Sequence, residues 1–298
     1  MTESMIGVYL YPASIIFSEP TNHIEASECR EFTFAGERLI VSRSGYIGLI
    51  TEDKEKSYIY LNTIMGSIAL IHSPFYIIAA RADLLSHQYD SSTRTAIVNH
   101  FPYSIRGDLQ YGSTFREIFI TTLIDENRWS IILNLAQKII SCDLVDYFFP
   151  FIRGYCFGFE REYLQAFISY WFTIELCLQY EYNMALSDSK FVKLSSKPLK
   201  SPGIFNIIEN LYFMRLITEV DKKQAHKIRE IRNKIIHKVK SPTHEEINEC
   251  SSLSKRLLFR IFRKKGCNIK KYINGMNELK VMENFSAFIN EDGFWRWR

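Results

Sequence analysis

The feature that most constrains this chain is a change of period near residue 125. Before it, apolar residues come in short runs separated by turn residues; after it, they recur every three or four positions over long stretches. Alternation belongs to half-buried strands, and a 3.6-residue repeat to helices that bury one face. Ile6–Phe17 is a run of aliphatic and Tyr residues broken by Pro12. Glu31–Phe34 and Arg38–Ser42 flank Ala35-Gly36, a hairpin signal. Tyr46–Thr51 continues the strand pattern after the Ser44-Gly45 break, and Tyr76–Ala80 reads as a further strand. Tyr58–Ile71 is open between a buried helix and a strand, because a short apolar run does not separate the two.

Beyond the change, Trp129, Ile132, Leu133, Leu135 and Ile139 predict a helix opened by Asp125-Glu126. In Arg161–Ala185, Phe167, Trp171, Ile174 and Leu178 share one helical face. Residues 187–203 are rich in Ser and Lys and contain Pro198 and Pro202, which reads as a loop. Three helices follow, over Ile204–Leu216, Glu219–Lys240 and His244–Arg263. Pro202 precedes the first, Ser241-Pro242 stops the second, and Thr243-x-x-Glu246 is a capping box opening the third. The expected fold class is α+β: a β-containing N-terminal module over residues 1–124, followed by an all-α helical bundle over 125–298.

Composition removes several function classes. With 47% hydrophobic and 14% aromatic residues, the chain has material for a sizeable core and is not disordered. No apolar run reaches the roughly 20 residues a membrane helix needs. The opening Met-Thr-Glu-Ser-Met-Ile lacks a basic region and cleavage site, so no secretory signal is expected. The six cysteines form no C-x-x-C pair. That pattern reads as a reduced, cytoplasmic protein without a structural zinc, with Cys177 in the core. Histidines 23, 72, 87, 100 and 244 have no ligand spacing, so neither a metal nor a cofactor is expected.

Charge is unevenly spread. Between Glu219 and Lys271 there are sixteen Lys and Arg against six Asp and Glu, a net +10 in a chain of net +4. A basic block in an acidic remainder is the footprint of a nucleic-acid binder, and it is equally what a solvated helix face looks like.

One helix within that block stands apart. In Ala225–Lys238, Ile228, Ile231 and Ile235 fall on a core stripe continued by Val239, while His226, Arg229, Asn233 and His237 fall on the polar face. Arg232 flanks the core stripe, its guanidinium free to bend toward the polar side. This set suits RNA cleavage. Attack of a ribose 2′-hydroxyl on the adjacent phosphorus needs a base of near-neutral pKa, which His supplies. The phosphorane that forms gathers negative charge, which a fixed Arg binds bidentately.

Arg232-Asn233-x-x-x-His237 resembles the R-x4–6-H signature of HEPN-domain proteins, including the polar residue after Arg. The helix within Tyr163–Tyr180 resembles the family's early helix with its aromatic–x–x–x–Glu pattern, and Ile204–Leu258 resembles its closing helices. The likeness covers about residues 125–265 and is nearest to the Apea-like branch, in which a β-containing region precedes the HEPN bundle. It implies a metal-independent endoribonuclease that dimerises so that two motif helices line one cleft, serving as a toxin or antiviral effector. His237 would then be the general base or acid, Arg232 the stabiliser of the phosphorane, and Asn233 the residue that positions the phosphate or His237. Glu175 would be the acidic residue orienting Arg232. Arg229, His226, Lys234 and Lys238 are the expected RNA contacts.

Two function classes remain in view. One is an RNA-cleaving homodimer acting on tRNA or single-stranded RNA and leaving 2′,3′-cyclic phosphate ends. The other is a non-catalytic HEPN module serving RNA binding, dimerisation or regulation of a toxin–antitoxin partner. If the chain is an enzyme, the N-terminal module is the candidate sensor of an inhibitor or trigger, and a fragment starting near Asp125 is expected to be less restrained. The tail Phe294-Trp295-Arg296-Trp297-Arg298 interleaves aromatics and cations and is open between stacking bases, docking on its own bundle and binding a partner.

Overall fold

A computed structural model of the chain describes residues 2–9, 15–16, 29–42, 46–71, 84–97, 123–124, 126–159, 161–187, 203–238, 240–269 and 272. Strands β1 (Thr2–Tyr9), β2 (Ile15–Ile16), β3 (Cys29–Phe34), β4 (Glu37–Ser42) and β5 (Tyr46–Leu49) lead into helix α1 (Lys54–Ile71). Strands β6 (Leu85–Asp90), β7 (Thr95–Ile97) and β8 (Leu123–Ile124) follow. The rest is helical: α2 (Glu126–Ser141), α3 (Val145–Phe159), α4 (Tyr163–Ser187), α5 (Ile204–Phe213), α6 (Glu219–Lys238) and α7 (His244–Lys264). The layout is α+β, with a β-containing N-terminal module before a helical bundle. The strand expected at Tyr76–Ala80, most of the 187–203 loop and the aromatic tail lie outside the described residues.

Six strands form one antiparallel sheet in the order β3-β4-β5-β1-β6-β7, and β2 pairs with β8 in parallel. The expected hairpin is present, with Phe34 opposite Glu37 across a two-residue loop. Ala35 and Gly36 both take positive φ, 50° and 84°. That is the turn whose twist matches the strands it joins, and Gly adopts it without strain.

The ambiguous Tyr58–Ile71 run is helix α1, opened by Asp53, whose Oδ1 accepts from the Lys56 backbone at 2.9 Å. α1 shows no one-sided apolar stripe because it is covered on both sides, by the sheet and by α2 and α3. Its buried hydroxyls are satisfied within the helix: Thr63 donates to the Ile59 carbonyl at 2.7 Å and Ser67 to that of Thr63 at 2.8 Å. Gly66 permits the contact with α3, since a Cβ there would lie 2.7 Å from the Phe148 ring.

One apolar core therefore runs across residue 125. It passes from Leu39, Ile47 and Leu49 of the sheet through Leu61, Ile64 and Ile68 of α1 to Trp129, Ile132, Phe148 and Ile152. It ends among Phe167, Ile174, Leu257 and Phe262, so the four α4 residues singled out by spacing, Trp171 and Leu178 among them, are all buried. α3 interposes a helix that sequence periodicity did not announce, with Pro150 inside it. α5 stops at Phe213, short of the expected Leu216, because Arg215 turns the chain back at φ 56°. α7 begins with the expected capping box: Glu246 N donates to Thr243 Oγ1 at 3.2 Å and Thr243 N to Glu246 Oε2 at 2.8 Å.

All six cysteines carry free thiols. Cys177 is in the core, where burial pushes its thiol up, and burial does the same to Cys250. Among the described residues, no helix is long and apolar enough to cross a membrane.

Candidate nucleic-acid interface

Helix α6 carries the candidate residues. Its first turn has Glu219 and Asp221, which suit the helix dipole, and the Thr218 hydroxyl accepts from the Asp221 backbone at 3.1 Å. Ala225, Ile228, Ile231 and Ile235 are buried, which fixes the rotation of the helix and turns the opposite side outward.

Most of the basic block around it is spent within the fold. Lys222 meets Glu209 at 2.7 Å, Lys223 meets Glu219 at 2.8 Å and Lys227 meets Glu249 at 2.6 Å. Arg256 reaches Asp221 at 3.0 Å, and Lys265 reaches Asp143 at 3.3 Å. Glu181 is only 1% exposed; Arg260 holds it at 3.0 Å and Lys264 binds its other oxygen. By contrast, among the described residues Arg229, Arg232 and Lys234 on the C-terminal half of α6, and Lys255 and Arg263 on α7, have no carboxylate within ion-pair distance.

Within that half of α6 the structure gathers a core group. Arg232 is half-buried, and its Nη1 donates to Asn233 Oδ1 at 3.2 Å. Glu175, half-buried on α4, lies within the electrostatic reach of Arg232 but beyond ion-pair contact. Burial raises the Glu175 carboxyl above its ordinary value, while the Arg232 charge and the Trp171 indole act to lower it. Glu175 is thus easier to protonate than a surface glutamate.

His237 is exposed one turn beyond Asn233, and among the described residues it makes no hydrogen bond or ion pair. Helical geometry turns it about 140° around the axis from Arg232, with a rise of about 7.5 Å between them. Between these directions stand Asn233 and the half-exposed Ile236. Lys234 is exposed but points about 160° away from Arg232. Lys238 closes α6.

His226 is not part of this group. Its Nε2 lies 2.8 Å from Glu209 Oε1 and its ring rests against Phe205, with centroids 5.0 Å apart. It pins α5 to α6 and is not free to take a phosphate. Arg229 lies with its guanidinium 5.2 Å from the same Phe205 ring. Sequence reasoning did not single out Phe205 or Glu209. The only signal for them was an amphipathic segment, IFNIIENLYF, whose exposed side is set by tertiary packing.

Among the described residues, no group of three His, Cys, Asp or Glu side chains is placed to hold a metal ion. The chain matches no protein-family model, no curated protein and no solved structure.

Proposed function

We propose that this chain is a metal-independent endoribonuclease of the HEPN type, acting as a homodimer in the cytoplasm in a toxin or antiviral role. The observation that supports it most is the selective absence of partners on the C-terminal half of α6. There, among the described residues, Arg232 and His237 make no ion pair, while most described cations elsewhere in the block are paired.

In this reading His237 takes the proton from a ribose 2′-hydroxyl as its oxygen attacks the adjacent phosphorus. The bond to the 5′-oxygen breaks, leaving a 2′,3′-cyclic phosphate and a 5′-hydroxyl that must itself receive a proton. Arg232 and Asn233 hold the charge that builds on the non-bridging oxygens. The angular separation of Arg232 and His237 supports a dimer, because two copies of α6 across a cleft would surround a phosphate that one helix meets from one side.

The full-length wild type and His237→Ala, run side by side on tRNA and single-stranded RNA in EDTA with end-group analysis, test this. Wild type should cut and leave cyclic phosphate ends, with His237→Ala slower by at least about 100-fold while keeping fold and RNA affinity. One observation favours the other reading, a non-catalytic RNA-binding module: among the described residues, none hydrogen-bonds the His237 ring. RNA binding without cutting by the wild type would select that module.

The N-terminal module is the proposed sensor. Because its core is continuous with that of the bundle through α1, deletion up to residue 124 would strip apolar cover from α2 and α3. Restraint is better tested by surface substitutions in the full chain than by a fragment.

A further inference from the structure

Beside the Arg232–Asn233 group, α5 and α6 present a second feature that the proposed chemistry does not use. Phe205 is 48% exposed near the start of α5, a helix that buries Ile207, Ile208 and Leu211 and leaves Phe213 exposed at its far end. Its ring is contacted by the His226 imidazole, with centroids 5.0 Å apart, and by the Arg229 guanidinium at 5.2 Å. Arg229 has no carboxylate partner among the described residues, and its Nε is buried without a hydrogen bond, as is Nδ1 of His226. Glu209 does not relieve this, because its oxygens are taken by Lys222 and by His226 Nε2. Arg229 is only half-buried and its guanidinium carries five donors, so its charge remains open to an outside anion.

We propose that Phe205 and Arg229 form a subsite for one unpaired nucleotide of an RNA strand, the base stacking on the exposed part of the Phe205 ring and the phosphate accepting from Arg229. Aromatic stacking accepts any base face, and an arginine beside the ring adds cation–π attraction and phosphate contact. A base inside a duplex has both faces covered and cannot lie on Phe205, so the subsite selects single-stranded over paired RNA. Arg229 is four residues, a rise of about 6 Å, before Asn233 on the same helix. A strand seated on Phe205 therefore continues directly onto Arg232, Asn233 and His237. The subsite deepens the nuclease reading by defining the strand the motif receives, and it rests on that reading only for what happens to the neighbouring phosphate.

Binding can be measured without cleavage. Full-length His237→Ala protein is titrated into a fluorescein-labelled mixed-sequence single strand and into the same strand annealed to its complement, with anisotropy as readout. Phe205→Leu, Phe205→Trp and Arg229→Gln are compared in that background. Phe205→Leu should weaken single-strand binding about tenfold and leave duplex binding and the salt slope unchanged, and Phe205→Trp should retain the affinity. Arg229→Gln should weaken binding and reduce the salt slope by about 0.7. Thermal melts of each variant separate loss of the subsite from loss of fold, and the Trp variant keeps the ring if Leu disturbs α5.

No binding of the single strand, unchanged affinity in Phe205→Leu, or equal losses on single and double strands would overturn the subsite. So would a change in oligomeric state on Phe205→Leu at unchanged RNA affinity, which would make the ring a protein contact. A wild type that never cuts, yet needs Phe205 to bind, removes the nuclease and leaves the subsite. A wild type that cuts with or without the ring removes the subsite alone.

Discussion

Three basic residues of α7 and three on the C-terminal half of α6 look alike in sequence and differ in what faces them. Arg256, Arg260 and Lys264 on α7 meet Asp221 or Glu181 and tie that helix to α6 and α4. Arg229, Arg232 and Lys234 meet no acid within ion-pair distance among the described residues. Fixed charges that hold helices together are neutralised where they stand, and a polyanion gains little from them. Charges left open can neutralise phosphates and so displace the counterions condensed on the nucleic acid. A net of +10 along a segment thus contains two populations, and only the second is a footprint for nucleic acid.

The largest effect that separates the populations is on stability. Arg260→Ala leaves Glu181, 1% exposed, with Lys264 as its remaining partner. Breaking a buried pair costs about 3–5 kcal/mol, and the surviving Lys264 places this loss near the lower end. Arg232→Ala should cost under about 1 kcal/mol, since no ion pair is broken. Urea unfolding of both variants checks this, and similar small losses in the two would break the comparison.

The next effect is on RNA affinity at varied salt. Arg232→Gln and Lys234→Gln should each flatten the plot of log affinity against log salt for a single strand by about 0.7. Lys227→Gln and Arg256→Gln remove equal formal charge but should leave the slope nearly unchanged, because Glu249 and Asp221 already neutralise them. Equal slopes for all four variants would show that the whole block acts as a diffuse field.

What could be read beforehand follows the range of the forces involved. The Thr243–Glu246 cap and the Ala35-Gly36 turn are local, and both stand where spacing put them. The core stripe of α6 was legible because one side of that helix faces solvent. α1 was ambiguous for the opposite reason: sandwiched between the sheet and two helices, it needs apolar or self-satisfied residues all round and so has no stripe. Sequence could not sort the cations, since Glu181, Glu209 and Asp143 lie outside the basic segment and reach it only through packing. The same holds for His226, which helical projection placed among the RNA contacts and Glu209 holds against α5.

The smallest effects contrast two glutamates that face the same helix. Glu209 has its carboxyl lowered, chiefly by the hydrogen bond from Lys222 and next by that from His226. Its contribution to stability is therefore present above the ordinary value of 4.5 and is lost as pH falls through the lower folded value. Glu175 has its carboxyl raised by burial, so its ionised form opposes folding and acidification through its folded value relieves that cost. Glu209→Gln should accordingly be less stable than wild type near neutral pH, with the difference vanishing in acid. Glu175→Gln should be at least as stable near neutral pH and should lose the gain that wild type makes on mild acidification. Thermal melts from pH 7 down to pH 3 would show the two differences moving in opposite directions. Parallel curves for the two variants would mean that Arg232 compensates Glu175 fully, so that this arginine belongs with the paired cations of α7 and has no spare charge for a phosphate.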